Sequence, residues 1–450
     1  MSETKEQVLT EPSGLMTINM GPSHPAMHGI VRIILQLDGE VVKGAEVEIG
    51  YLHRAFEKHA ESVPYTQVVP YTDRLNYVSP FINNFGFAMC VEKLLGIEIT
   101  ERCKYIRTIL SEISRVTDHL TCVGASAMEI GAFTVFLYMM KAREYLYELV
   151  EDVTGARIMP TYVRMGGVKA DLPDGFKERA FQSFKQTREV IKECDELLTK
   201  NRIFMDRMVG IGYISKEDAL SYAFTGPMLR GSGVPYDVRR AYPYLAYDQL
   251  DFEIPIGENG DNYDRYLVRM EEMEQSMRIA EQALEKIPGG AIHVDPQSIP
   301  MIDPATTVDD AKMGRVEEYV DRTVTPSPNL EGQEPQRFYQ ANPDIKSVVM
   351  PPKQQSYTSI EGLMNHFKLI MYGHGIRPPR GEAYACVEGG NGELGFYIVS
   401  DGSDQAYRCR VRPPCYNFVA AFHKMIIGGV IADIVPSFGS INMIGGELDH

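Results

Sequence analysis

Apolar residues at Ile106, Ile109, Leu110, Ile113, Val116 and Leu120 recur at three- and four-residue steps, the period of one helix face. A second helix is predicted from the apolar run Ile130–Met140 through Tyr145 and Leu149, stopping near Gly155. A third falls at 176–200, and Ala219–Phe224 sits near the start of a loop-rich stretch. Tyr266, Leu267, Met270, Met273, Met277, Ala280, Leu284 and Ile287 make another stripe, ended by Pro288-Gly289-Gly290. Methionines in such a stripe can form an adaptable partner face, but core packing is the plainer reading. Helices follow at Ile360–Met371 and around Val419–Ile434. Alternating runs at Val31–Leu37 and Glu46–Ile49, parted by Asp38-Gly39, predict a β-hairpin, because glycine accepts the positive φ of the turn. A second hairpin is expected where Tyr384–Val387 and Phe396–Val399 flank a glycine-rich turn.

The pattern as a whole predicts an α+β chain, mainly α: a helical bundle with a small N-terminal antiparallel β region and a C-terminal hairpin. Its expected organisation is a loose N-terminus (1–14), a β region (15–55), a bundle core (56–300), a surface arm (301–350) and a C-terminal region (351–450) completing the same domain. The arm is expected because 301–350 holds five prolines and little periodicity.

The net charge of −16 argues against a nucleic-acid partner, since grip on phosphate backbones runs on clustered Lys and Arg. No apolar run approaches the roughly 20 residues of a membrane span. Met1–Glu6 lacks the basic-then-apolar order of a secretory signal. These features predict a chain without a transmembrane segment that can still lie against a membrane. The seven cysteines form no Cys-x-x-Cys pair, which speaks against a disulfide framework and against a thiolate-held metal or iron–sulfur site.

Gly390-Asn391-Gly392-Glu393-Leu394-Gly395 spells G-x-G-x-x-G, but a β-rich run follows where a dinucleotide site needs a helix. A hairpin turn is expected there. His24 and His28 have i, i+4 spacing, yet Pro25 lies between them and Gly21-Pro22 and Gly29 flank them. That describes a tight loop rather than a helical zinc pair, so no metal is expected. Tyr71–Tyr77 packs phenols, Arg74 and Asn76 into one short polar segment, read either as a helix start capped by Thr72 or Asp73 or as a cluster at the end of a cavity. Arg115 and His119 share a helix face, where a core histidine is the plain expectation.

Taken together, these segments closely resemble the D subunit of respiratory complex I, the quinone-site component of proton-pumping NADH:quinone oxidoreductases. The resemblance is carried by Asn19–Gly29, Ile49–Arg54 with Phe56–Lys58, Tyr162–Val168, Leu229–Arg239, Gly392–Gly402 and Gly446–Asp449, in order along the chain. It implies a fold like the nickel–iron hydrogenase large subunit, whose metals are held by two Cys-x-x-Cys pairs that this chain lacks. It implies that Tyr77 and His28 bind and protonate a quinone headgroup, supported by His24 and by Glu129, where the family usually has Asp. Arg74 and His119 resemble residues beside a terminal 4Fe–4S cluster carried by a partner, the iron–sulfur B subunit. The C and I subunits and the membrane-embedded H subunit are the other implied neighbours, at the cytoplasmic face of the bacterial membrane. NADH and FMN would belong to other subunits, and no cofactor to this chain. The family tends to end in Arg where this chain has His450, so a terminal ion pair here is expected to depend on pH. The alternatives left by the residues are a relative with another electron donor, such as ferredoxin, and a scaffold without quinone chemistry.

Overall fold

The computed structural model describes residues 14–294, 351, 353–371 and 375–450. The expected arm at 301–350 and nearly all of the expected loose N-terminus lie outside them.

Strands β1 (Met16–Met20), β2 (Arg32–Asp38) and β3 (Val41–Glu48) form an antiparallel sheet in that order. Alternation along β2 buries Ile33, Leu35 and Leu37 on one face. Asp38-Gly39 turns β2 into β3, with Gly39 at φ 62°, as the hairpin pattern requires. The β1–β2 connection is the His24–His28 loop. A short 3₁₀ turn at Pro25–Met27 anchors it through Met27, which is fully buried. Gly21 enters this loop at φ 94°, and a Cβ there would fall on the Val31 carbonyl.

The helical body runs α1 (Phe56–Ala60), α2 (Tyr65–Thr72), α3 (Pro80–Leu95), α4 (Glu101–Glu129) and α5 (Phe133–Thr154). After the small hairpin β4 (Val163–Arg164) and β5 (Gly167–Val168) come α6 (Phe176–Leu198), α7 (Arg202–Met208), α8 (Lys216–Ser221), α9 (Gly226–Gly231), α10 (Val238–Ala241) and α11 (Asn262–Lys286). Thr100 caps α4 by accepting from the Cys103 N–H at 3.3 Å, and Gly155 closes α5 at φ 78°. The predicted stripe of α4 is buried throughout, and so is much of its polar face, because α5 and α11 enclose the helix. Met273 and Met277 of α11 pack in the core.

Toward the C-terminus stand α12 (Lys353–Thr358), α13 (Ile360–Ile370), β6 (Gly381–Glu388), β7 (Glu393–Ser400), β8 (Arg408–Arg412), α14 (Pro414–Ile426), α15 (Ile431–Ile441) and α16 (Gly445–Leu448). The glycine-rich segment is the β6–β7 turn, closed by the Gly389 N–H on the Gly392 carbonyl at 2.7 Å. Gly226 of α9 sits against it, where a Cβ would strike the Asn391 carbonyl and Gly392 Cα. Strand β8 extends this hairpin to three strands, which the apolar pattern did not foretell.

The single helix expected around Val419–Ile434 is two. Gly428-Gly429 separates α14 from α15, and the break docks on β3 through Gly428 N–H to Val42 O (2.8 Å) and Val42 N–H to Gly429 O (2.9 Å). Backbone pairing with a strand won over helix continuity.

Two apolar clusters result. One joins α1–α6 and α11 with β6–β8, and the other joins the N-terminal sheet with α8, α9 and α14–α16. The fold is α+β and mainly α, with small antiparallel sheets.

Candidate functional site

Residues Gly445 and Gly446 open α16 and draw two distant segments together. A Cβ on Gly445 would fall on Ile30 and Leu52, beside the histidine loop; one on Gly446 would fall on the Arg74 and Leu75 carbonyls, beside Tyr77. Only hydrogen at both positions lets this turn sit between the two segments. Asp449 then fastens the chain: its carboxylate accepts from the Gly50 N–H (2.9 Å) and the Leu52 N–H (2.8 Å), and its carbonyl meets His53 Nδ1 at 3.0 Å.

On one side of α16 stands His28, half-exposed at φ 56°. Its Nε2 lies 3.2 Å from Glu129 Oε1 at the end of α4, and its ring meets Phe438 edge-on. Burial pushes the Glu129 carboxyl above its ordinary value, while His28 and His24 pull it down. The longer glutamate side chain therefore reaches the histidine directly. Room for it comes from Gly439 of α15, where a Cβ would fall on Glu129 Oε2. His24 serves the loop itself, since its Nδ1 accepts from the Ala26 N–H at 3.2 Å and caps the turn that presents His28.

Gly439→Ala is accordingly expected to displace Glu129 and unpair His28. Crowding of this kind costs about 1–3 kcal/mol. The complex should still assemble, with a lowered melting temperature and reduced turnover; an alanine variant that matches the parent in both would contradict this packing.

On the other side of α16, Tyr77 follows α2. Among the described residues nothing hydrogen-bonds its hydroxyl, and the side chain is partly exposed. Burial raises the phenol's pKa, Cys415 and Asp118 raise it further, and Arg54 opposes them. The preceding Asn76 fixes the loop by accepting the Val78 and Ser79 N–H groups, both at 3.2 Å. The polar segment thus closes helix α2 rather than opening a helix. Asp73 is the C-cap residue of α2 and opens no helix; its carboxylate accepts from Thr161 N–H (3.0 Å) and Thr161 Oγ1 (2.6 Å). That contact holds a turn in which Met159 and Thr161 both take left-handed backbone conformations.

Arg74 is exposed, and its carbonyl accepts from Arg54 at 2.7 Å. His119 is elsewhere. It is fully buried with Nε2 2.8 Å from Glu272 Oε2, and burial lowers its pKa. Within this chain His119 is packed in the interior, whereas Arg74 lies at the surface. His450 Nε2 stands 3.6 Å from Glu57 Oε1, and burial keeps its pKa below the usual value, so this pair gains its charge only on acidification.

Sequence reasoning gave no role to Asp118 and Cys415, which act on Tyr77, nor to Asn442, which bonds Asp118. It also missed the buried ion network of Glu112, Arg115, Arg230, Asp237, Arg239, Glu272 and Glu388. Singly these residues carry no motif; the partners Arg230 and Glu388 are 158 positions apart. An open groove of about 810 Å³ lies away from the expected site and is lined by Tyr236, Tyr242, Tyr244 and Tyr384 among others. Among the described residues no cluster of His, Cys, Asp and Glu is arranged to hold a metal ion, and no helix is long and apolar enough to cross a membrane.

A helical chain that gathers histidine, tyrosine and carboxylates around a clamped C-terminal turn matches one class of respiratory protein. The sequence profile of the respiratory-chain NADH dehydrogenase 49 Kd subunit covers residues 129–450. The D 1 subunit of NADH-quinone oxidoreductase from Sorangium cellulosum is 47% identical over 449 residues, spanning 100% of this chain and 98% of that protein. The corresponding D subunit from Myxococcus xanthus is 47% identical over 435 residues, 97% of this chain and 92% of the relative. A Bdellovibrio bacteriovorus protein, named as the C/D subunit, is 43% identical over 435 residues, 97% of this chain and 69% of the relative. The chain belongs to the D-subunit family of NADH-quinone oxidoreductases.

Proposed function

We propose that this chain forms the quinone-headgroup site of a proton-pumping NADH:quinone oxidoreductase, with Tyr77 and His28 as the two proton donors. The enzyme is a multisubunit oxidoreductase of which the chain is one subunit. Its bundle is read as a relative of the nickel–iron hydrogenase large subunit. Electrons arrive from a 4Fe–4S cluster in the B subunit, beside which Arg74 and His119 stand. NADH and FMN sit in other subunits. The C subunit is a partner in keeping with the C/D protein of Bdellovibrio bacteriovorus, and the I and H subunits complete the surroundings. The chain then lies peripherally on the cytoplasmic face of the membrane.

The observation that supports this reading best is the His28–Glu129 pair opposite a Tyr77 hydroxyl that nothing else engages among the described residues. Quinone reduction puts negative charge on both carbonyl oxygens and takes up two protons; fixed donors at each oxygen stabilise the charge as it develops. With Nε2 occupied by Glu129, His28 turns Nδ1 to the headgroup. His28 hands its Nδ1 proton to the quinone oxygen and remains bonded to Glu129 through Nε2. Tyr77 gives its hydroxyl proton at the other oxygen.

Glu129→Gln tests the histidine half. The amide keeps the shape but not the charge, so turnover is expected to fall about tenfold. Unchanged turnover would remove His28 from the mechanism.

A further inference from the structure

His28 and Tyr77 stand on separate loops, and among the described residues no hydrogen bond joins one loop to the other. Between them lie the α16 turn and a short strap, residues 50–54, that follows β3. On the histidine side, Leu52 of the strap and Ile30 close on the same point, where a Cβ on Gly445 would fall. Ile30 donates its N–H to the Met27 carbonyl at 3.2 Å and so belongs to the turn that presents His28. On the tyrosine side, Arg54 donates to the Arg74 carbonyl at 2.7 Å and comes up against Gly446. Arg74 lies three residues before Tyr77. One short segment thus reaches both donor loops.

Asp449 fixes that segment. Its carboxylate is 5% exposed and accepts the Gly50 N–H on one oxygen (2.9 Å) and the Leu52 N–H on the other (2.8 Å). His53 Nδ1 donates to its backbone carbonyl at 3.0 Å. Among the described residues these are all the hydrogen bonds that tie residues 50–53 to any part of the chain beyond β3. Bonds from backbone N–H groups to an ionised carboxylate are short and strong, and two of them, one per oxygen, leave the strap a single resting place.

We propose that Asp449 is the positioning residue that sets the separation of the His28 and Tyr77 donors, acting through the 50–54 strap. This rests on the reading of those two side chains as headgroup donors. Asp449 touches no quinone; it holds Leu52 against the histidine side of α16 and Arg54 against the tyrosine side. A headgroup engages both donors at once only while that separation is kept. A displacement of about 1 Å in such a constellation costs up to about 10²-fold in rate.

The test is a double-mutant cycle on NADH:quinone turnover per assembled complex. Asp449→Asn keeps one acceptor oxygen and turns an amide NH₂ toward the other backbone N–H. It is expected to turn over about tenfold more slowly, with NADH still reducing the internal clusters. Once the Tyr77 hydroxyl is gone the spacing has nothing to align, so Tyr77→Phe combined with Asp449→Asn should be no slower than Tyr77→Phe alone. Parental turnover in Asp449→Asn would overturn the proposal. So would a double variant slowed by the product of the two single losses, the result for sites that act independently. If Asp449→Asn does not assemble, His53→Ala serves instead, because that side chain is exposed and the change removes its bond to the Asp449 carbonyl. Turnover about threefold slower, again absorbed by Tyr77→Phe, is expected there, and parental turnover overturns the idea. A crippled Tyr77→Phe beside a parental Asp449→Asn sinks the positioning role alone, whereas an unaffected Tyr77→Phe sinks the headgroup reading beneath it.

Discussion

Arg230→Met is expected to prevent assembly of the chain into its complex. The Arg230 guanidinium is fully buried, donating to Glu272 Oε1 (Nε, 2.7 Å), Glu388 Oε1 (Nη1, 2.8 Å) and the Tyr236 carbonyl (Nη1, 2.9 Å). Around it, Arg239 pairs with Asp237 at 2.7 Å and Glu112 at 3.2 Å. Arg115 donates to the Gly389 and Glu388 carbonyls at 2.7 and 2.6 Å, tying α4 to the β6–β7 turn. Methionine fills similar space but leaves two interior carboxylates without their cation. Removing one partner of a buried pair costs about 3–5 kcal/mol, a large share of the roughly 5–15 kcal/mol that holds a domain together.

The same logic fixes a pH dependence. Burial alone would raise the Glu272 carboxyl, but Arg230 and His119 hold it at about 2. A depressed carboxylate contributes stability that is complete above the ordinary glutamate value and lost as pH falls toward about 2. The protein content of the complex on a native gel reads the outcome: absence of the chain from the complex is expected, and full assembly with an unchanged melting temperature would contradict it.

Much of this architecture was legible along the chain, for identifiable reasons. The α4 and α11 stripes, the Asp38-Gly39 turn and the β6–β7 hairpin are local patterns, set by helix period, strand alternation and glycine's tolerance of positive φ. The polar half of α4 misleads, because Arg107, Glu112, Arg115 and Asp118 have the spacing of a solvated face yet lie in the interior. Several of their partners come from segments more than a hundred residues away, as with Tyr247 on Glu112 and the Glu388 carbonyl on Arg115. Nothing in the local pattern announces such pairs. The α14–α15 break is of the same kind, decided by a strand that docks from the far end of the chain.

For the site, the histidine loop was readable from its flanking Gly and Pro. The Tyr77 role and the choice of Glu129 were readable only through family resemblance. His119 was read both ways. Its place on the face of a buried helix was legible from the pattern, its 2.8 Å bond to Glu272 was not, and its proposed place beside a partner's cluster comes from the resemblance alone. Glu447 belongs to a block that carries the resemblance, yet its burial was not legible in the terminal Gly-Gly-Glu-Leu turn until α16 is seen packed between the two loops.

The central claim is that Tyr77 donates to the quinone, and Tyr77→Phe in the membrane-embedded complex tests it most directly. The change removes one hydroxyl that makes no other hydrogen bond among the described residues and leaves the ring in place, so assembly on a native gel should be unaffected. With a donor lost at an oxygen where charge develops, quinone turnover is expected to fall by on the order of 10²-fold, about 2.7 kcal/mol of barrier, while NADH still reduces the internal iron–sulfur clusters. A phenylalanine complex that assembles, reduces its clusters and turns over quinone with the parent's kcat and KM would contradict the account, and both donor assignments would go with it.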